Sequence, residues 1–137
     1  MKKLIGLFFI LIPALAIAQK KPVHIVFDVT SKDPQTHAAV LRHVKGMSEA
    51  YPDAKFEVVI YGGALPMVVK DESPSADAIE QLTKRSNVAF KVCQQTMERH
   101  GVAKDQLVAG VQIVPDGILE IAMRQADGWG YIKESHN

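Results

Sequence analysis

The amino-acid sequence predicts an α/β fold in which a five-stranded parallel sheet is covered on both faces by helices. Five short apolar segments have the length and composition of buried strands, at residues 22–29, 56–61, 88–92, 111–114 and 129–133. Between them lie segments whose apolar residues recur every three or four positions, as in amphipathic helices. Strands that alternate with helices along a chain are typical of a parallel sheet, because each crossover places a helix on one of its faces.

The first predicted strand, residues 22–29, is nearly continuous in apolar residues, as expected of a central strand. Asp28 falls at its carboxyl end, before a polar loop, where open α/β sheets usually place their ligand sites. The alternative is that Asp28 is a turn former that caps the following helix. That helix is predicted to begin at Asp33-Pro34, an N-cap followed by a proline in the first turn, and to end at Pro52-Asp53.

The first helix has one apolar stripe that we expect to pack on the sheet. Its members, spaced four, three and four residues apart, are Val40, Val44, Met47 and Tyr51. His37 and His43 fall off this stripe, and at six residues apart they do not share a helix face as two metal ligands would. We expect both histidines to be solvated.

The second predicted strand, residues 56–61, runs into Gly62-Gly63. A glycine pair in this position permits a tight turn or a close approach of the backbone to a ligand. The pair lacks the three spaced glycines of a dinucleotide-binding loop, so neither NAD nor FAD is indicated. Residues 64–69 contain Pro66 and are predicted to form a single helical turn, and Ser73-Pro74 marks the start of a helix that extends to Arg85.

Cys93, the one cysteine of the chain, lies where a strand gives way to a helix. The apolar run at residues 88–92, interrupted by Lys91, predicts the third strand, and residues 94–100 are compatible with a short helix that Gly101 ends. The first turn of a helix offers unpaired backbone N–H groups and partial positive charge, which favour a thiolate. Cys93 is therefore either a nucleophilic or sulfur-carrying residue, or a small buried hydrophobic residue at a strand end.

The last predicted elements are the fourth strand, a helix and the fifth strand. Pro115 and Asp116 open the helix, and Gly128 ends it before the final strand at residues 129–133. The helix is expected to turn one set of apolar residues towards the sheet: Ile118, Leu119, Ala122 and Met123.

Residues 1–18 have the pattern of a cleavable signal peptide. Lys2 and Lys3 precede an apolar stretch from Leu4 to Leu15, and Ala16-Ile17-Ala18 is a small-residue cleavage site before Gln19. The apolar stretch is shorter than the ~20 residues that a membrane-spanning helix needs, so an uncleaved anchor is the less favoured alternative. We expect a periplasmic protein whose mature part, residues 19–137, is a single domain without a membrane segment.

Charge and cysteine content exclude several classes of function. The chain has 16 basic and 15 acidic side chains, and removal of Lys2 and Lys3 would leave 14 and 15, so no basic excess suggests nucleic-acid binding. The sequence contains no G-x-S-x-G nucleophile elbow and no cysteine-rich or paired-histidine metal spacing. A lone cysteine in an oxidising compartment cannot form an internal disulfide, so it is buried, capped, paired between molecules or functional.

Three parts of the sequence resemble the DsrE/DsrF-like family, whose members include sulfur-relay proteins. They are VHIVFDV at residues 23–29, AYPDAKFEVVIYGGAL at residues 50–65 and FKVCQQTMERHGVAKDQLVAGVQIVPDGILEIAMRQADGWGYIK at residues 90–133. The most specific features are the cysteine after the third strand, VP-G at residues 114–117 and GW-YIK at residues 128–133.

The resemblance implies a three-layer α/β/α sandwich, commonly assembled into trimers or hexamers. It also implies that Cys93 accepts sulfane sulfur as a persulfide from a donor protein or small sulfur species and passes it to an acceptor, without a cofactor. Such a protein is a carrier, sulfurtransferase-like at most, rather than a turnover enzyme. Site-lining positions at the same sheet edge are expected to be Asp28, Gly62, Gly63 and Pro115. The alternative is a non-catalytic oligomeric module that binds a small ligand or a protein, with Cys93 structural.

Overall fold

The computed structural model describes residues 21–135, which form one five-stranded parallel sheet with helices on both faces. The sheet order is β4-β3-β2-β1-β5, with β1 (Ile25–Val29), β2 (Phe56–Ile60), β3 (Val88–Cys93), β4 (Gln112–Val114) and β5 (Gly130–Lys133). The helices are α1 (Pro34–Ala50), α2 (Ala76–Thr83), α3 (Gln94–His100) and α4 (Gly117–Ala126). The predicted α/β fold is confirmed. The predicted signal peptide, residues 1–18, lies outside the described residues.

Local signals set most of the helix boundaries. The Asp33 carboxylate accepts hydrogen bonds from the backbone N–H groups of Gln35 (3.0 Å) and Thr36 (3.2 Å), so the cap of α1 is Asp33 and not Asp28. Asp116 caps α4 in the same way. Gly101 ends α3 at φ 64°, in the left-handed region that glycine adopts at little cost. After β2 the chain forms a 3₁₀ helix at Gly62–Val68, longer than the single turn predicted.

One face of the sheet carries the main hydrophobic core. Because successive strand residues point to opposite faces, alternate residues of the three central strands share this face. They are Phe27, Val29, Phe56, Val58, Ile60, Val88, Phe90 and Val92. Helices α1 and α2 and the 3₁₀ helix pack on them through buried residues such as Val40, Val44 and Ile79. The strand residues on this face are all apolar.

The opposite face is covered, within the described residues, by α4. Its apolar centre is small and consists of Val26, Val59 and Ile121, with Tyr61 and Trp129 at the margin. The expected orientation of α4 is wrong, because Ile118, Leu119 and Met123 are 66%, 57% and 50% exposed, and Ala122 is exposed as well. The helix instead turns Gly117, Glu120 and Ile121 inwards, because the sheet beneath it carries charged side chains.

Two expectations for α1 are also wrong. Tyr51 is 62% exposed, because it is the C-cap residue and lies beyond the stripe that contacts the sheet. His37 is buried, and its Nε2 atom is 2.7 Å from the Ser31 carbonyl oxygen, so this histidine holds the loop after β1. His43 is half-exposed, with its Nδ1 atom 3.0 Å from the Glu134 carboxylate.

Within residues 21–135, no helix combines the length and the apolar character that crossing a membrane requires.

Candidate functional site

Cys93 lies at the carboxyl edge of the sheet, as the sequence indicates. It is the last residue of β3 and the N-cap of α3, with extended backbone angles. Lys91 and Cys93 are two residues apart in β3, so both side chains point to the face that α4 covers. In the register of the sheet, Cys93 stands beside Val114, after which the chain turns into α4. Two helix starts therefore meet at the thiol.

The Cys93 sulfur is surrounded by hydrogen-bond donors. The backbone N–H groups of Gln95, Thr96 and Gly117 and the hydroxyl of Thr96 lie near Sγ and favour its charged form, although the Cys93 side chain makes no conventional capping hydrogen bond to α3. The Thr96 oxygen itself accepts from the Gly62 N–H (3.2 Å) and from the Arg99 guanidinium (3.2 Å). Since both acceptor positions of this hydroxyl are occupied, its one proton is free for the sulfur.

These donors decide the charge of the thiol. Burial is the largest single effect and by itself would raise the pKa of Cys93, because the side chain is 5% exposed. The hydrogen bonds from Gly117, Thr96 and Gln95 together outweigh burial, so the pKa of Cys93 lies below its ordinary value. A buried cysteine that serves as a hydrophobic residue has a raised pKa instead. The site therefore favours the thiolate, which is the nucleophilic form.

Gly117 allows the start of α4 to come this close. A Cβ atom at this position would lie 3.2 Å from Cys93 Cβ, 3.3 Å from Tyr61 Cδ1 and 3.4 Å from Val59 Cγ1. Two of these distances are shorter than ordinary contacts, so a side chain would push the helix away from the sulfur. Because Gly117 has no side chain, its backbone N–H group can lie close to Sγ.

A polar cluster adjoins Cys93 through Tyr61. The buried Asp28 carboxylate accepts from Tyr131 Oη (2.7 Å) and Lys133 Nζ (3.1 Å), and it lies near the Tyr61 hydroxyl. Burial, followed by the charge of Asp28, raises the pKa of Tyr61 to about 12, and the nearby Cys93 adds to the shift. Lys133 Nζ lies 6.0 Å from the centre of the Tyr61 ring. Tyr61 therefore separates the thiol from a charged pair.

The predicted lining residues do not all reach the thiol. Gly62 does, through its hydrogen bond to Thr96, and Pro115 is an exposed residue of the loop between β4 and α4. Asp28 is connected to Cys93 through Tyr61. Gly63 faces the other way, since a Cβ there would lie 3.0 Å from the Thr30 carbonyl oxygen.

Tyr61, Thr96 and Gly117 are site residues that were not predicted from the sequence. Thr96 and Gly117 had a readable signal, because each lies in the first turn of a helix that starts at the edge where Cys93 was expected. Tyr61 directly follows β2 on the face shared with Glu57 and Val59.

A separate apolar cavity lies at the opposite edge of the sheet. It has a volume of about 470 Å³, and its walls include Ile25, Met47, Tyr51 and Phe56. Among residues 21–135, no group of three or more His, Cys, Asp or Glu side chains is placed to hold a metal ion.

Comparison with solved structures supports the same architecture. MTH1491 from Methanobacterium thermoautotrophicum, a protein of unknown function, is 27% identical with a TM-score of 0.75, and the match covers 81% of this chain and 98% of that one. YchN from E. coli is 18% identical, with a TM-score of 0.68 and coverage of 83% and 99%. BT1422 from Bacteroides thetaiotaomicron is 11% identical, with a TM-score of 0.66 and coverage of 80% and 93%.

Sequence comparison is more specific about the family. No curated protein matches the chain at a significant level. The sequence model of the DsrE/DsrF-like family, however, matches residues 24–133, which include all five strands and Cys93. The chain therefore belongs to the DsrE/DsrF-like family.

Proposed function

We propose that this protein is a sulfur carrier that accepts sulfane sulfur as a persulfide on Cys93. The observation that carries the proposal is the position of Cys93 at the starts of α3 and α4, where the donors of Gln95, Thr96 and Gly117 lie near Sγ and lower its pKa. This arrangement stabilises a thiolate and fits the DsrE/DsrF-like family, in which sulfur relay is a common role. The rest of the chemistry follows from thiol exchange.

Loading is a nucleophilic displacement at sulfur. The Cys93 thiolate attacks the outer sulfur of a donor persulfide, R–S–SH, so that a new S–S bond forms to Cys93 and the donor leaves as the thiolate RS⁻. Unloading is the same step with an acceptor thiolate, which takes the outer sulfur and restores the Cys93 thiolate. Oxidation states balance across each exchange, so the cycle requires neither a redox cofactor nor a metal.

Access to the sulfur restricts the donor. Cys93 is 5% exposed, with Gly117 and Tyr61 packed beside its Cβ atom. A small persulfide or polysulfide needs less room than a protein-bound one, and loading by a protein requires the start of α4 to move. We therefore propose small sulfur species as the first donors to test, and a protein with a flexible thiol as the acceptor.

We also propose that the chain is exported to the periplasm with cleavage after Ala18. The support is the pattern of residues 1–18, with two lysines, an apolar stretch and a small-residue site. Expression of the whole chain in a bacterium, followed by intact mass of the periplasmic fraction, tests this. A product that begins at Gln19 is expected, whereas full-length protein in the cytoplasm would refute export.

A homo-oligomer, a trimer or hexamer, is proposed on the basis of the outer surface of α4. Ile118, Leu119 and Met123 form an exposed apolar stripe on a helix whose inner surface is polar. A second copy of the chain would bury that stripe. Sedimentation velocity should show assembly of the wild type and a monomer for the double variant Ile118→Asp, Met123→Asp. Val23→Asp changes a residue that is 65% exposed elsewhere and serves as the control; a monomeric wild type would contradict the proposal.

The test of sulfur loading is intact mass spectrometry after exposure to polysulfide. Wild-type protein should gain the mass of one sulfur atom, and the gain should disappear on treatment with a reducing thiol. Cys93→Ala should gain nothing. In parallel, alkylation of Cys93 as a function of pH should titrate below the value of ~8.5 that is usual for a free cysteine.

The competing function is a non-catalytic binding module in which Cys93 is a packing residue. The low exposure of Cys93 favours it, and the apolar cavity beside Met47 offers a place for a ligand. In that case polysulfide would not modify the wild type, and Cys93 would react with alkylating reagents only after the protein is unfolded. That result would end the sulfur-carrier proposal.

A further inference from the structure

Helix α4 is held to the sheet mainly by charged side chains. Its inner stripe is Gly117, Glu120, Ile121 and Arg124, at the spacing of one helix face. Among these, Ile121 is the apolar contact, and it meets Val26 and Val59. A helix that covers one face of a sheet usually relies on a broader apolar stripe than this. The charged contacts must therefore contribute to where α4 rests.

The contacts form a partly buried quartet of two carboxyls and two cations, defined as Glu57, Lys91, Glu120 and Arg124. Lys91 Nζ lies 2.9 Å from Glu57 Oε2 and 2.6 Å from Glu120 Oε1. Arg124 reaches the same two carboxyls, with Nε 3.2 Å from Glu57 Oε2 and Nη2 2.9 Å from Glu120 Oε1. Each side chain of α4 in the quartet thus contacts a partner on β2 or β3.

The two carboxyls of the quartet have pKa values that are shifted in opposite directions. Burial, opposed by Lys91 and Arg124 and aided by Glu120, raises the pKa of Glu57 above its ordinary value. The pKa of Glu120 falls to about 2, because hydrogen bonds from Lys91, Glu57 and Arg124 outweigh its burial. Within the described residues, Glu57 Oε1 is buried without a conventional hydrogen-bond partner. Of the two carboxyls, Glu57 is therefore the one that takes up a proton first as the pH falls.

We propose that the Glu57, Lys91, Glu120 and Arg124 quartet is the positioning device for Cys93, because it holds the start of α4 where the Gly117 N–H meets the sulfur. Glu120 lies one turn after Gly117 on the same helix face, and Lys91 lies two residues before Cys93 on the same strand face. The inference rests on the proposed role of Cys93 as a thiolate. It adds that residues without contact to the sulfur set its protonation.

Other charged groups around Cys93 stay unchanged in the test. Arg99 of α3 acts through the Thr96 hydroxyl, Tyr61 follows β2, Asp116 caps α4, and Lys91 lies beneath on β3. None of these groups is altered in the variants of Glu120. A change seen on altering Glu120 therefore reports on α4 or on the lost carboxylate charge itself.

A charge effect and a positioning effect of Glu120 shift the titration midpoint of Cys93 in opposite directions. If Glu120 acted through its charge, removing a carboxylate would make the Cys93 thiolate easier to form and would lower the titration midpoint. If Glu120 acts by holding α4, Glu120→Ala weakens the Gly117 hydrogen bond and the midpoint rises, by about half a pH unit for a helix-terminus interaction. The midpoint is measured from the ultraviolet absorbance of the thiolate, with the same variant carrying Cys93→Ser as the blank.

Controls separate positioning from general damage. Arg85→Ala removes an exposed ion pair with Glu49 on the other face, with an N···O distance of 2.7 Å, and should leave the midpoint unchanged. Lys91→Arg, which keeps a cation between the carboxyls, should also keep the wild-type midpoint. Circular dichroism establishes that each variant is folded. If Glu120→Ala does not fold, the titration midpoint is measured on Glu120→Gln, which preserves the size of the side chain.

An unchanged or lowered midpoint in a folded Glu120 variant overturns the inference. Sulfur loading of the wild type is scored separately by intact mass, so the two proposals fail in different experiments. A wild type that loads sulfur, with a Glu120 variant whose midpoint is unchanged, refutes positioning alone. A wild type that never loads sulfur refutes the carrier proposal, whatever the midpoint does.

Discussion

The two faces of the sheet are built in opposite ways. The face under α1 and α2 is apolar throughout, with Phe27, Val58 and Phe90 fully buried. The face under α4 carries Asp28, Glu57 and Lys91 within its strands, and its apolar centre is limited to Val26, Val59 and Ile121. Each strand contributes to both faces, because its side chains alternate.

The difference separates stability from chemistry. Burial of apolar surface is the dominant favourable term in folding, so the α1 and α2 face supplies most of it. Charged groups are costly to bury and need paired geometry, but they fix orientation. The face under α4 therefore contributes less to stability but holds polar groups in fixed orientations. Cys93 lies at the edge of this face.

The largest expected effect comes from a core residue of the apolar face. Phe90→Ala removes a fully buried ring and should lower the free energy of unfolding by about 3–5 kcal/mol. Ile121→Ala, at the small apolar centre under α4, should cost about 2 kcal/mol, the lower end for an isoleucine, since its neighbours are few. Urea unfolding measures both. Equal losses would show that the two faces contribute alike and would break the comparison.

A second prediction concerns the dependence of stability on pH. The folded-state pKa of Glu57 is raised above the ordinary 4.5, mainly by burial, so the folded protein retains a proton that the unfolded chain loses. Its contribution to stability is therefore full below pH 4.5 and is lost as pH rises towards the folded-state value. Glu57→Gln mimics the neutral form permanently. Relative to wild type, this variant should become more stable as the pH rises above 4.5.

Glu120 gives the opposite slope and serves as the comparison. Its pKa of about 2 lies below the ordinary 4.5, so its stabilising contribution is present above pH 4.5 and lost as pH falls towards 2. Glu120→Gln should therefore be less stable than wild type above pH 4.5, and the difference in the free energy of unfolding should shrink as the pH falls towards 2. Urea titrations at pH 3, 4.5 and 8 distinguish the two carboxyls. Parallel curves for wild type and Glu57→Gln would show that Glu57 is ionised when folded.

The fold could be predicted because local signals decide it. Asp33, Asp116 and Gly101 mark helix ends by hydrogen bonding and backbone freedom within a few residues, and the strand segments are mostly apolar. The junction at Cys93 follows from the same change of pattern. These features depend on neighbours in sequence, which is why a single sequence suffices.

The orientation of α4 and the surroundings of the sulfur depend on contacts between distant parts of the chain. Ile118 and Leu119 were expected to face the sheet because an apolar stripe usually faces a core, but the charged Glu57 and Lys91 reverse that rule here. The positions of Glu57 and Lys91 inside predicted strands were the available sequence signal that this face of the sheet is charged. The contact of Thr96 with Gly62, 34 residues away, has no local sequence signature.

The smallest expected effect concerns Thr96, which contributes both to the stability of the fold and to the surroundings of Cys93. Thr96→Val keeps the shape of a fully buried side chain but leaves the Gly62 N–H without its acceptor, which should cost about 1 kcal/mol of stability. It also removes one donor from the Cys93 sulfur, so the midpoint of thiol titration should rise. Thr83→Val is the matched control, since that hydroxyl donates to the Glu80 carbonyl and to Ala109, away from Cys93. A raised midpoint for Thr96→Val alone would show that hydrogen bonds, rather than burial, decide the charge of Cys93. The same midpoint for both variants would mean that the backbone donors are sufficient without the hydroxyl.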